Sequence, residues 1–355
     1  MKKKTAVAIS GGVDSLMAAC FLKEQGQDVI GIHFITGFEA ALSRTRHPQA
    51  DNRLTILDIG KQLGIPVEIV DIRAEFQEKI VDYFARTYQS GQTPNPCMRC
   101  NPTIKFGKIL SCAHSLGAQK LATGHYARIR KDPSGNFHLF KGLDNQKDQS
   151  YFLARLTQQQ LENACFPLGE MKKSDVKQMA AQKGLRPVIH GESQDVCFIK
   201  QTSYGEFLSA QKGFEPRPGL IENVNGQVIG EHNGLHLFTI GQRRGINCPA
   251  AEPYYVIRLD TERNRLTVGA KKDLLSSECK VVEINWIGKE PTLPMDVHIR
   301  VRYRSKETAS RIFPQGNSTA IVRFKNPQTA VTPGQGAVFY REDEILGGGW
   351  ISPEG

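Results

Sequence analysis

Ser10-Gly11-Gly12-Val13-Asp14-Ser15 is the stretch on which the reading of this chain turns. An apolar run at 5–9 precedes it and reads as a buried strand. Residues 15–25 follow as a helix, with Gly26 suited to its C-terminal end. A glycine-rich turn between a strand and a helix is where a parallel sheet binds phosphate. The two glycines let the backbone turn tightly and leave its N–H groups unshielded. Ser10 and Ser15 offer hydroxyl donors, and the helix N-terminus adds the positive end of its dipole. Asp14 would repel a phosphate, so it fits better as a Mg²⁺ contact or as the helix N-cap. Neither the Gly-x-x-x-x-Gly-Lys-Ser/Thr loop nor a Gly-x-Gly-x-x-Gly fingerprint occurs in the chain. The plainer reading is a glycine turn with a capping Asp or Ser, against which the strand–turn–helix position weighs.

Outward from this loop the first half alternates strands with helices. Runs at 28–34, 67–70 and 120–123 read as further strands, and 54–63 and 75–88 as helices. Such alternation predicts an α/β fold, a mostly parallel sheet with helices on both faces. After about residue 204 short apolar runs alternate with turn pairs, Asn225-Gly226 and Asn233-Gly234, each a hairpin signal. Runs at 281–282, 297–303, 320–324 and 337–340 read as strands of a small antiparallel barrel. The expected division is therefore an α/β unit at 1–205, a β-rich middle unit at 206–275 and a C-terminal β-barrel at 276–355.

An apolar content of 39% and a charged content of 23% place the chain among ordinary globular proteins rather than disordered ones. No apolar run is long enough for a membrane-spanning helix. Lys2-Lys3-Lys4 precedes an apolar stretch that ends after six residues at Gly11-Gly12, too short for a signal-peptide core. A cytoplasmic protein is expected. The net charge of +10 suits a polyanionic partner, although a solvated basic surface gives the same number. In a cytosolic chain the 8 cysteines do not form a disulfide framework, and most read as small buried residues.

Three cysteines have suggestive surroundings. In Thr93-Pro94-Asn95-Pro96-Cys97-Met98-Arg99-Cys100-Asn101, two prolines stiffen a loop and Arg99 lies between two thiols. A neighbouring cation lowers a thiol pKa and raises the thiolate fraction. A structural zinc site would need a second Cys-x-x-Cys pair, and none exists. A thioredoxin-like pair would open a helix just after strand one, which this pair does not. Cys197 sits among Val196, Phe198 and Ile199, and on composition it reads as a core residue.

The hexapeptide resembles the PP-loop, the pyrophosphatase loop of adenylating enzymes that cleave ATP between its α and β phosphates. A run of further motifs resembles, in order, the bacterial tRNA-specific 2-thiouridylase family. These are Thr93-Pro94-Asn95-Pro96, Cys100-Asn101, Ile104-Lys105-Phe106-Gly107, Ala122-Thr123-Gly124-His125-Tyr126 and Lys147-Asp148-Gln149-Ser150-Tyr151-Phe152-Leu153. Cys197-Phe198-Ile199, Gly230-Glu231-His232, Thr239-Ile240-Gly241-Gln242-Arg243, Arg302-Tyr303-Arg304, Thr332-Pro333-Gly334-Gln335 and Leu346-Gly347-Gly348-Gly349 continue the series. The resemblance spans about residues 6–349.

The resemblance implies a PP-loop ATP pyrophosphatase unit followed by two β-rich units, and 2-thiolation of the wobble uridine of tRNA. A uracil oxygen is a very poor leaving group, so ATP adenylates it first. By matched position Cys197 carries a persulfide and Cys100 attacks it, leaving a Cys100–Cys197 disulfide for an outside thiol to reduce. A persulfide donor or relay protein is implied as partner, with ATP as substrate and Mg²⁺ beside it. ATP falls to Ala8, Ile9, Ser10, Gly11, Gly12, Val13, Asp14 and Ser15, with Phe34 at the adenine and the backbone of Gly124 near the nucleotide. Asn95, Pro96 and Cys97 border the target base. Lys147, Asp148, Gln149, Arg302 and Tyr303 touch tRNA, the cations neutralising phosphate and the tyrosine stacking or packing. Read singly, 147–149 is a solvated turn and 302–304 a strand with its polar side outward.

Three places depart from the family pattern. Cys97 stands where Asp is common, Phe34 where Met is usual, and the Arg- and His-rich stretch 38–52 where an acidic segment is common. Cys97 opens a second route in which Cys97, Cys100 and Cys197 hold a [4Fe-4S] cluster whose open iron binds sulfide. The persulfide route is preferred, because Cys97 is absent from the shared pattern. The loop also suits an ATP-dependent ligase of the same loop class acting on another substrate. The basic charge and the β-rich half, taken without the loop, suit a non-catalytic RNA-binding protein.

Overall fold

A computed structural model of the chain describes residues 3–39, 48–189, 196–199 and 202–353. Strands β1 (Lys4–Ala8), β2 (Asp28–Ile35), β3 (Val67–Asp71) and β4 (Lys120–Ala122) lie parallel in the order β3-β2-β1-β4. A short strand at Ala164–Cys165 extends the sheet beyond β4. The first strands read as unbroken apolar runs because both faces are covered. Ala6, Ile30 and Ile32 enter one core, while Val7, Ile9 and Val29 enter the other. Helix α1 (Val13–Glu24) packs Leu16, Met17 and Leu22 into the second core.

The chain fills the sheet from β1 to β3 on one side, then returns to place β4 on the other. This reversal sits beside the C-terminal end of β1, the place where open parallel sheets bind ligands. The loop 10–15 leaves β1 there.

Residues 93–101, expected as a proline-stiffened loop, instead begin a continuous helical run over 96–115, with a π-helical segment at Asn101–Ile109. Pro96 occupies the first turn, and the Asn95 side chain accepts the Met98 N–H at 3.1 Å. Proline at the first helical position after an Asn cap is a helix start rather than a loop.

The second half is β-rich, as expected. Asn225-Gly226 does join a hairpin, Gly219–Asn223 with Val228–His232. Asn233-Gly234 does not. The Gly234 N–H donates to His232 Nδ1, and the chain continues into a 3-10 turn, Leu235–Leu237. Strands Tyr255–Asp260 and Arg265–Gly269 complete a four-stranded sheet.

The barrel closes with six strands: Leu275–Trp286, Ala320–Thr329, Thr308–Pro314, Met295–Arg300, Gly336–Arg341 and Glu344–Ile351, the last pairing back to the first. The expected strand 297–303 ends at Arg300, and 301–303 form a turn. Two barrel strands are not among those expected: 308–314, whose apolar Ile312 and Phe313 are adjacent rather than alternating, and 344–351, whose apolar residues are interrupted by Gly347, Gly348 and Gly349.

A hairpin of the first unit, Ala127–Lys131 with Phe137–Lys141, adds two strands to the barrel sheet through Leu139 opposite Ile345. Among the described residues, no helix is long and apolar enough to cross a membrane.

Gly347 has φ +152°, and a Cβ there would collide with the Asn285 carbonyl oxygen across the closing strand pair. Gly347→Ala should destabilise the barrel by about 1–3 kcal/mol, the usual range for overpacking. Urea unfolding followed by tryptophan fluorescence checks it, and an unchanged midpoint would contradict the closure assigned to this strand.

Candidate active site

The loop after β1 is held by its own hydroxyls. The Ser10 N–H donates to Ser15 Oγ at 3.2 Å, and Ser15 Oγ donates to the Gly12 carbonyl at 2.9 Å. Gly12, not Asp14, is the helix N-cap, and no side chain caps it. Asp14 is engaged elsewhere. Lys173 Nζ reaches its two carboxylate oxygens at 2.6 and 2.5 Å, and Tyr126 Oη donates to it at 2.9 Å. The buried Lys173 thus offsets the one charge in the loop that would repel phosphate.

Gly124 follows β4, and a Cβ there would lie 2.7 Å from Asp14 Cβ. Only glycine lets that strand end approach the loop, as the expected role near a nucleotide requires. Ile9 is fully buried, so it offers the loop backbone alone. Ala8 and Phe34 are partly buried against the first core.

Cys97 and Cys100 lie one turn apart on the helix after Asn95, and both are partly buried. Burial pushes the Cys97 thiol up to about 11 and the Cys100 thiol up to about 12. The charge of Lys105 pulls both down, and Cys197 raises both by its own negative form. The three thiols, separated by up to 100 positions in sequence, therefore share one electrostatic neighbourhood.

Arg99 does not act as its sequence position suggests. Two residues from Cys97 it points off the thiol face, and its guanidinium lies 5.2 Å from the Tyr83 ring centre. Lys105, one π-turn beyond Cys100, is the cation that matters. Its Nζ stands 3.2 Å from His125 Nε2, and His125 Nδ1 is 2.7 Å from Thr123 Oγ1. Burial first, and then the Lys105 charge, hold His125 well below the usual histidine range. The neutral ring accepts from Lys105 at Nε2, which leaves Nδ1–H to donate to Thr123.

Cys197 is exposed, which corrects its compositional reading as a core residue. The core residue is its neighbour Phe198, which sits in an aromatic cluster with Phe84 at 5.3 Å, Phe207 at 5.4 Å and Phe76 at 5.8 Å. The preceding residues 191–195, and most of the basic stretch 38–52, lie outside the described residues.

Among the described residues, no group of three or more His, Cys, Asp and Glu side chains is placed to hold a metal ion. Cys97, Cys100 and Cys197 therefore do not fit as a converged cluster-binding set. Asp14, the candidate Mg²⁺ contact, is occupied by Lys173 and Tyr126.

The residues expected to border the base or touch RNA divide into engaged and available ones. Asn95 and Pro96 are buried, and only Cys97 of that trio is partly open. Asp148, 2% exposed, accepts from the Gly142 and Ser150 N–H groups and pairs with Arg300 at 3.4 Å. Gln149 Oε1 accepts the Tyr126 N–H at 3.1 Å. Arg302 Nη2 donates to the Ile240 carbonyl at 2.7 Å and to Thr332 Oγ1, so its guanidinium joins the middle unit to the barrel. Tyr303 packs on Phe152 with ring centres 4.4 Å apart. Lys147 is partly exposed.

Lys173 and Lys105 are site residues that sequence reasoning passes over. Lys105 lies inside one of the family motifs without a role of its own, and nothing local marks Lys173.

Fold and site define a HUP-domain protein with two appended β units. Residues 3–201 match the family model described as "tRNA methyl transferase HUP domain". Residues 205–270 match "tRNA methyl transferase PRC-barrel domain", and 276–351 match "Aminomethyltransferase beta-barrel domain". The "tRNA-specific 2-thiouridylase MnmA" of Desulfosudis oleivorans is 50% identical over 98% of this chain and 95% of its own length. Proteins of the same description from Geobacter metallireducens and Syntrophotalea carbinolica are 42% and 44% identical, each over 99% of this chain and over 97% and 99% of their own lengths. The chain belongs to the tRNA-specific 2-thiouridylase family.

With its thiol held up at about 12, Cys100 should alkylate with iodoacetamide about tenfold faster per pH unit from pH 7 to 10, without levelling. Peptide mass spectrometry separates it from Cys97, and a plateau near pH 8 would contradict the burial assigned to it. Lys105→Met removes the charge that favours the thiolate, so the pKa moves further up. The rate at pH 9 should then fall by about tenfold, while Lys105→Arg retains most of it.

Proposed function

We propose that this protein is an ATP-dependent tRNA sulfurtransferase that replaces the C2 oxygen of the wobble uridine by sulfur. The single observation that carries the reading is the shared neighbourhood of Cys97, Cys100 and Cys197 beside Lys105. Membership of a family whose described members are tRNA-specific 2-thiouridylases supports the substrate. ATP occupies residues 8–15, with Phe34 at the adenine and Gly124 giving close access to the loop. Asp14 is neutralised by Lys173 and does not oppose the polyphosphate. The division into units at 1–205, 206–275 and 276–355 assigns adenylation to the first and tRNA contacts to the last, in the cytoplasm.

The uridine C2 oxygen attacks the α-phosphorus of ATP, pyrophosphate leaves, and an O-adenylate forms. An outside donor has placed a persulfide, S–SH, on the exposed Cys197. The Cys100 thiolate attacks the Cys197 sulfur and displaces hydrosulfide, forming the Cys100–Cys197 disulfide. Hydrosulfide adds to C2 and AMP departs with the former carbonyl oxygen. An external dithiol supplies the two electrons that restore both cysteines. Lys105 favours the thiolate at Cys100, and Cys97 borders the base without an obligatory part in the transfer.

Cys100→Ser and Cys197→Ser should each reduce 2-thiouridine formation by at least about 100-fold, the scale expected when a nucleophile is lost. Nucleoside mass spectrometry of unmodified tRNA incubated with protein, ATP and a persulfide donor reads this directly. Both variants should still release pyrophosphate with tRNA. Full ATP-dependent activity in both on a substrate other than tRNA would establish a ligase of the same loop class instead.

A further inference from the structure

We propose that Arg243 and Arg244, on the loop 239–245 of the middle unit, form a contact surface for tRNA backbone phosphates beside the cysteine helix. The inference rests on tRNA being the substrate, and it begins from Arg302. That guanidinium, expected to neutralise a phosphate, is instead bonded to the Ile240 carbonyl and Thr332. What Arg302 holds is a loop with two further arginines, both exposed. Among the described residues, neither Arg243 nor Arg244 is in an ion pair.

The loop is rigid by its own bonding. The Gln242 carboxamide accepts the Thr239 N–H at 3.1 Å and donates to the Leu237 and Arg244 carbonyls at 3.2 and 2.8 Å. The Gly241 N–H donates to the Val256 carbonyl at 2.8 Å. Ile246, 5% exposed, anchors the far end.

The loop is also placed at the site. Thr239 Oγ1 lies 3.3 Å from Thr93 Oγ1, two residues before the Asn95 cap of the cysteine helix. Two consecutive guanidinium groups on a pinned loop lose little backbone freedom on binding. They suit phosphate, which accepts their fork-like donors in pairs. The substrate is a polyanion and the chain carries +10, so the sign of the surface fits the substrate already assigned.

The test is filter binding of unmodified tRNA transcript to the full-length protein and its R243A/R244A and R243K/R244K variants between 50 and 300 mM KCl. The alanine variant should bind about tenfold more weakly at 100 mM. Its log–log salt slope should be shallower by roughly 0.7–0.9 per arginine removed, as counterion release requires. The lysine variant should keep the wild-type slope. In thiolation, KM for tRNA should rise in the alanine variant while kcat stays within about twofold.

Unchanged affinity and slope would overturn the proposal. So would weaker binding with an unchanged slope, because that marks a distorted loop rather than lost phosphate contacts. A wild-type protein that shows the salt behaviour but forms no 2-thiouridine would defeat the proposed reaction and leave this surface standing.

Discussion

The site depends on the pairing of Asp14 with Lys173. A carboxylate inside a phosphate loop is an electrostatic contradiction unless something offsets it. Lys173 does so from about 160 residues away, at 2.5 Å and almost fully buried. The pair also fixes geometry. Tyr126 joins it from just beyond β4, and Gly124 lets that strand end lie against the Asp14 backbone. Three separate segments of the first unit thus meet at one carboxylate. Losing Lys173 would leave a partly buried acid uncompensated beside the glycines, where even modest repulsion weakens polyphosphate binding.

A second constraint ties the cysteines to the rest of the molecule. The Thr93 N–H donates to the Pro333 carbonyl, and Gln335 Nε2 donates to the carbonyls of Thr93 and Pro94. Thr239 of the middle unit meets the same threonine. The segment that starts the cysteine helix is therefore held by all three units. The barrel's contribution to the site is indirect: it sets where Cys97 and Cys100 stand. This explains why Asp148, Gln149 and Arg302 hold segments together although their motifs look like contact motifs. A residue can be required by an RNA-binding surface because it builds the surface, with its own polar atoms turned inward.

What is legible in the sequence follows from which interactions are local. The loop 10–15 and the strands around it are readable, because buried parallel strands are unbroken apolar runs and glycine turns stand out between them. The barrel is half readable: 308–314 has a short apolar pair without alternation, and 344–351 has its apolar residues split by three glycines at a crowded strand crossing, so neither shows a clean period of two. The helix at 96–115 reads as a loop when two prolines are allowed to outweigh the Asn-Pro start signal. In the site, Cys100 and Cys197 come from family resemblance, since their proximity is tertiary. Lys173 is invisible for the same reason. Arg99 is overvalued when sequence adjacency is taken for spatial adjacency on a helix, where successive side chains turn by about 100°.

The high pKa of Cys100 would bear on how the proposed transfer is timed. Burial leaves this thiol far less ionised at neutral pH than an ordinary cysteine. The resting thiol is thereby poorly nucleophilic, which would keep the disulfide of the proposed transfer from forming ahead of turnover. Raising the thiolate fraction requires the attraction from Lys105 to grow relative to burial. Excluding water between the ammonium and the sulfur does this, since an ion pair strengthens as the local dielectric falls. A bound base stacked over the cysteine helix would exclude that water. The neutral His125, fixed by Thr123 and accepting from Lys105, keeps the ammonium aimed at the site without cancelling its charge, a task that a carboxylate partner could not perform.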